Sequence, residues 1–279
     1  MRGAVIGTAI FQIIAGLILC LIVFLIMRKK TGRPISIFFI GAGTWFVFVV
    51  ILEALVHNLV LVMSPIGGTI RANIFLYALY GGFMAALFEE GGRFAVFKTL
   101  LKREQVNDNT ALMCGAGHGG FEAFFLLASS GISLIAYSAI LNNPDMIQGA
   151  GLDDATLAQV QEAIAGLQNT SVMTYVWSVM ERVSAIILHI SLSVMVWFAA
   201  KEKIKKIGLL ALAFFCHFFV DFITAILASK VPIAVVEMII LAMALSIAYL
   251  ALRVWKKYSS PPEVVWSTTP RGTEGVNPY

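Results

Sequence analysis

The chain has 279 residues, 59% hydrophobic and 13% charged, with a formal net charge of +4. That charged share is about half of what a soluble domain carries, and with a mean hydropathy of +0.87 it defines an all-helical, polytopic membrane protein. The basic excess lies in short segments beside apolar runs, without a basic patch interleaved with aromatics, which excludes nucleic acid as a partner. Cys20, Cys114 and Cys216 all fall inside apolar segments and read as small buried hydrophobes, not as a disulfide framework.

A membrane helix needs about 20 apolar residues. Seven such helices are expected, at 4–27, 35–62, 71–100, 110–140, 171–200, 206–229 and 231–254. The first run is too long for a signal-peptide core, and its basic residues Arg28, Lys29, Lys30 and Arg33 follow it, so it reads as an uncleaved helix. Lys98, Lys102 and Arg103 follow the third helix, and Lys201, Lys203, Lys205 and Lys206 the fifth. Arg253, Lys256 and Lys257 end the seventh. The alternate connections carry only Arg71 and Lys230, so the positive-inside rule sets the N-terminus outside and the C-terminus in the cytoplasm of a multi-pass cell-membrane protein.

The long 142–170 connection repeats Leu157, Val160, Ile164 and Leu167 at helical spacing behind Asp153 or Asp154 as a cap. It predicts a short amphipathic helix on the outer membrane surface. Pro261, Pro262, Pro270 and Gly272 mark 259–279 as a disordered cytoplasmic tail on a single membrane domain spanning 1–258.

All four histidines, His57, His118, His189 and His217, lie within these apolar runs. Ionisable groups inside a bilayer are costly and mark functional sites by default. At ~1.5 Å per residue, Glu89, Glu90, His118, His189 and His217 all lie roughly 12–16 Å from the cytoplasmic ends of four different helices. Glu53, His57 and Glu237 fall in the opposite half, where a structural Glu53–His57 pairing is expected. One-turn spacing puts Glu89 with Arg93, His118 with Glu122, and His217 with Asp221 on shared faces. Arg93 is expected to neutralise one carboxylate of the Glu pair. Arg182 is expected to neutralise a carboxylate of another helix, and not to pair with its neighbour Glu181. The glycines around His118, at 115, 117, 119 and 120, allow close helix packing or leave room for a substrate backbone.

Glu89-Glu90-Gly-Gly-Arg93, His118-Gly-Gly-Phe-Glu122, Glu181-Arg182 with His189, and His217-Phe-Phe-Val-Asp221 occur in an order that resembles the YhfC-like family of membrane peptidases. That family is distantly similar to the CAAX prenyl endopeptidases and the PrsW-type membrane proteases. The resemblance implies an intramembrane endopeptidase acting on a membrane protein or peptide. Glu89 or Glu90 would activate a water, with His118 and His217 as further catalytic groups. Arg93, Glu122, Arg182, His189 and Asp221 would support them. The chain departs from the CAAX pattern: two residues, not three, separate Glu-Glu from Arg93, and Cys114 stands where that pattern has Phe.

Peptide hydrolysis needs a nucleophilic water, a base and an oxyanion donor. His118, His189 and His217 with Glu89 or Glu90 supply a plausible zinc set, and the same residues suit a metal-free glutamate mechanism. Cys114, one turn before His118, is a further conceivable zinc ligand. There is no His-Glu-x-x-His signature. The rival readings are a proton- or ion-coupled transporter, since Glu and His chains build proton relays, and a non-catalytic membrane binding or immunity protein.

Overall fold

Every regular element among the described residues is helical; the computed structural model describes residues 2–143, 154–201 and 206–260. The elements in order are α1 (Arg2–Thr31), α2 (Ile35–Met63), α3 (Gly67–Ala72), α4 (Ile74–Lys98), α5 (Asn109–Asn142), α6 (Asp154–Asn169), α7 (Val172–Ala200), α8 (Gly208–Leu227) and α9 (Ile233–Tyr258). Helix α2 is wound as a π-helix over Phe46–Glu53 and Asn58–Met63.

The ends of these helices follow from local chemistry. Gly32 takes a φ of 62° after α1, a left-handed geometry that favours a residue without Cβ, and its N–H bonds back to Arg28 O at 3.1 Å. Pro34 then precedes α2. Asn73 caps α4, its Oδ1 accepting from Phe75 N at 3.0 Å and Leu76 N at 3.2 Å, and Ser171 caps α7 through Met173 N at 3.2 Å.

Six helices among the described residues have the length and apolarity to cross a bilayer: α1, α2, α5, α7, α8 and α9. The sequence led us to expect seven. The difference is α4, whose 25 residues are long enough but whose apolar run is diluted by Glu89, Glu90 and Arg93. This buried polar content is what sets α4 apart. The predicted helix in the 142–170 connection is present as α6, with Leu157, Val160 and Ile164 partly buried. Asp153 and the tail from Pro261 onward lie outside the described residues, as do Lys203 and Lys205.

Helix α7 is the axis of the bundle. All ten residues from Ser191 to Ala200 are buried, whereas Leu17, Leu21 and Leu25 of α1 are more than half exposed, as expected of a lipid-facing helix. Helix α5 packs against α1, α2 and α7, α4 packs against α8 and α7, and α9 covers the remaining side of α7. Close approach of α5 to its neighbours depends on glycine. A Cβ on Gly117 would lie 1.9 Å from Phe38 O of α2, and one on Gly119 would lie 3.0 Å from His189 Cβ of α7. These two glycines therefore serve helix packing, and Gly119 brings the His118 turn directly against His189.

A polar lock closes the end that carries the basic segments. The buried Asp108 accepts from Lys201 Nζ at 2.6 Å and Trp197 Nε1 at 2.8 Å through Oδ1, and from Ser260 N at 2.9 Å through Oδ2. It ties the start of α5 to the ends of α7 and α9, so α5 and α7 are held against each other at this end.

Candidate metal centre

The four helices α4, α5, α7 and α8 bring every predicted site residue into one chamber inside the bundle. Glu89, Glu90 and Arg93 come from α4, His118 and Glu122 from α5, Arg182 and His189 from α7, and His217 and Asp221 from α8. Glu89, Glu90, Arg93, His118, Glu122, His189 and His217 are all buried. The histidine rings pack on one another, with centroids 5.0 Å apart for His118 and His189 and 5.4 Å for His189 and His217.

On one side, three potential ligand atoms face a common point. His118 Nε2 lies 2.7 Å from Glu89 Oε2, and His189 Nδ1 lies 3.6 Å from the same oxygen. The other nitrogen of His189, Nε2, sits 2.6 Å from Glu122 Oε2, and Arg182 Nη1 donates to Glu122 Oε1 at 2.8 Å. The His189–Glu122 contact is close but poorly directed, because Glu122 Oε2 has no well-aligned donor. It still assigns the ring proton to Nε2 and leaves the Nδ1 lone pair facing the chamber. Arg182 also contacts Glu181, contrary to the expectation that these neighbours face apart. The long guanidinium arm turns back along its own helix and bridges both carboxylates.

On the other side, His217 Nδ1 lies 2.7 Å from Glu90 Oε1, and its Nε2 faces Asp221 Oδ2 at 3.5 Å and Glu89 Oε1 at 3.9 Å. Arg93 stands between the two sides. Its Nη1 contacts Glu90, and its Nη2 lies 2.6 Å from His189 Nδ1, 2.7 Å from His118 Nε2 and 3.2 Å from Glu89 Oε2.

The donor chemistry fits a divalent metal. Glu89, His118, Glu122 and His189 each offer a ligand atom within 4.8 Å of the others. Two histidines and a carboxylate, with a position left for water, form a common catalytic zinc set. The Nη2 of Arg93 is a stand-in cation at the point that Glu89 Oε2, His118 Nε2 and His189 Nδ1 share. His217 lies outside this group, as does the buried Cys114.

The remaining membrane histidine is elsewhere. His57 Nε2 pairs with Glu53 Oε1 of its own helix at 3.1 Å, and its Nδ1 lies 3.0 Å from Tyr80 Oη. Tyr80 is a partner that sequence spacing does not reveal. Glu237, the other acid of that half, is buried.

Apolar helices around this carboxylate and histidine chamber define the class: a multi-pass membrane protein with a buried donor set that could hold a metal ion. The YhfC intramembrane metalloprotease family matches residues 14–243, and the chain belongs to it. The chain is also 36% identical over 180 residues to the uncharacterized membrane protein YhfC of Bacillus subtilis (strain 168), an alignment covering 63% of this chain and 67% of that protein. No solved structure matches.

Proposed function

We propose that the protein is an intramembrane endopeptidase that hydrolyses a peptide bond of a membrane protein or peptide in the cell membrane. The carrying observation is the shared focus of Glu89 Oε2, His118 Nε2 and His189 Nδ1, donated by three helices and backed by Glu122 and Arg182. Glu89, His118 and His189 would hold the metal. A metal bound there supplies Lewis acidity and a water made nucleophilic near neutral pH.

The chain's own groups do the rest. Glu122, neutralised by Arg182, fixes the tautomer and orientation of His189. Glu90 is held beside the centre by His217 and Arg93, and its second oxygen, Oε2, has no partner among the described residues, so it is free to take a proton from the attacking water. His217 lies between Glu90, Glu89 and Asp221. A ring with carboxylates at both nitrogens can hold a proton on each and pass one to the departing amine. Burial excludes bulk water and strengthens each of these interactions. The basic segments at 28–33, 98–103 and 253–257 support a site in the cytoplasmic half of the bilayer.

The test is cleavage of candidate membrane substrates by the protein reconstituted in vesicles. Wild type is compared with Glu89→Gln, Glu90→Gln, His118→Ala and His217→Ala. The proposal expects product from wild type and little from the four variants; equal cleavage by all five removes it.

One observation favours a second reading, a proton-coupled transporter. A cavity of about 240 Å³ is lined by His57, Tyr77, Tyr80, Gly81 and Asp221 among others, and so has His57 and the chamber residue Asp221 on its walls. Proton flux in sealed vesicles that disappears in Glu53→Gln would support it, and flux absent from wild type would remove it.

A further inference from the structure

We infer that Arg93 is the resident cation of the metal-free centre, and that its guanidinium yields the Glu89–His118–His189 position to a divalent metal by turning onto Glu90. The inference rests on the metal-holding role given to these residues above, and it concerns what fills their focus before the metal arrives.

Three features of the chamber point this way. The first is the proton count around Arg93 Nη2. That nitrogen carries two hydrogens, yet His189 Nδ1, His118 Nε2 and Glu89 Oε2 all crowd it within 3.2 Å. His118 Nε2 meets a conflict of its own. It must offer a lone pair to Arg93 and a proton to Glu89 Oε2 at 2.7 Å, and one ring nitrogen cannot do both. A metal resolves the conflict, because the imidazole nitrogen and the carboxylate oxygen then both act as donors to the same ion.

The second feature is where the unsatisfied atoms lie. Among the described residues, Arg93 Nε and Glu90 Oε2 are buried and have no hydrogen-bond partner. Arg93 already touches Glu90 through Nη1. A guanidinium turned squarely onto Glu90 would make the bidentate fork that this pair of groups favours, end-on through Nη1 and Nη2, giving Oε2 a donor while leaving it a second lone pair for a proton of the attacking water. The same turn withdraws Nη2 from the two histidines. Glu90 Oε2 is thus an unmet acceptor that the second arrangement would satisfy.

The third feature is charge. The chamber contains the carboxylates of Glu89, Glu90, Glu122 and Asp221, whereas its permanent cations are Arg93 and Arg182. Arg182 is committed to Glu122 and Glu181. Without a metal, Arg93 is the permanent positive charge that reaches Glu89 and Glu90 together. Buried carboxylates left without a cation are strongly destabilising. Arg93 thus balances these carboxylates, and a bound metal would take over Glu89 while Arg93 keeps Glu90.

The test is Co²⁺ binding, followed by its visible absorption, to the full-length protein purified in lipid nanodiscs, with thermal unfolding measured in parallel. In Arg93→Gln the competing cation is gone, so Co²⁺ affinity rises about tenfold or more; the metal-free variant melts below wild type, and Co²⁺ restores much of the loss. Arg93→Lys keeps a charge at the centre but cannot form the fork on Glu90, so its affinity stays at or below that of wild type. That variant also controls for folding. Glu90→Gln removes the charge and replaces one of the two acceptor oxygens with a donor, so the fork is lost and affinity falls. Unchanged or lower affinity in Arg93→Gln overturns the inference, as does the absence of a Co²⁺ spectrum from both wild type and Arg93→Gln. None of these readouts requires cleavage, so failure of the protease assay and failure of this exchange are separate results.

Discussion

Two places in this bundle pair a buried glutamate with a histidine, and they differ in how many helices build them. In the Glu53–His57 pair both groups come from α2, one turn apart, with Tyr80 of α4 as a single outside partner. In the chamber, His118 of α5 meets Glu89 of α4, His189 of α7 meets Glu122 of α5, and His217 of α8 meets Glu90 of α4. The local pair is closed within one turn of its own helix, although it too leaves a buried oxygen, Glu53 Oε2, without a partner among the described residues. The convergent set leaves lone pairs aimed at one point and atoms without partners. Convergence between helices, more than burial of a titratable group, marks the site.

That comparison can be broken by substitution. The largest expected effect is on catalysis: Glu90→Gln lowers cleavage about a thousandfold, the scale on which positioned acid–base groups act, measured as initial rate in vesicles. Next is stability. Arg182→Ala strands Glu122 without its cation and costs about 3 kcal/mol, the range for a broken buried pair, read from thermal unfolding in nanodiscs. Smaller is the orienting role of Glu122: Glu122→Gln weakens metal binding about 10- to 100-fold, measured by Co²⁺ titration, with Arg182 still folded against Glu181. The smallest effect belongs to the local pair. His57→Ala keeps cleavage within about twofold and costs about 0.6 kcal/mol, an ordinary value for an interhelical bond in a membrane. A larger catalytic loss there would join the two regions into one pathway and favour the relay reading.

Much of this chamber is legible in the sequence because helices convert spacing into depth. Counting along four apolar runs puts Glu89, Glu90, His118, His189 and His217 on one level. One-turn spacing already pairs Glu89 with Arg93 and Glu53 with His57. What counting does not provide is rotation about each helix axis and the choice of neighbour. The Glu122–Arg182 and Glu122–His189 contacts need α5 to lie against α7, which depends on the glycine face at 115 and 119 meeting Ser193 and His189. The Glu181–Arg182 contact escapes a backbone argument because it is set by a flexible side chain, not by the direction of Cα–Cβ. The Asp108 lock joins three segments far apart in sequence and carries no local motif. The π-helical stretches of α2 change the rotation of His57 relative to a regular helix, and a 3.6-residue count gives no sign of them.

The most direct test contrasts two histidines of the same bundle. Single-span membrane peptides are incubated with the protein in proteoliposomes, and products are identified by mass spectrometry for His189→Ala and His57→Ala beside wild type. The account predicts cleavage by wild type and by His57→Ala, with product lost in His189→Ala. Equal cleavage by His189→Ala and wild type would contradict it.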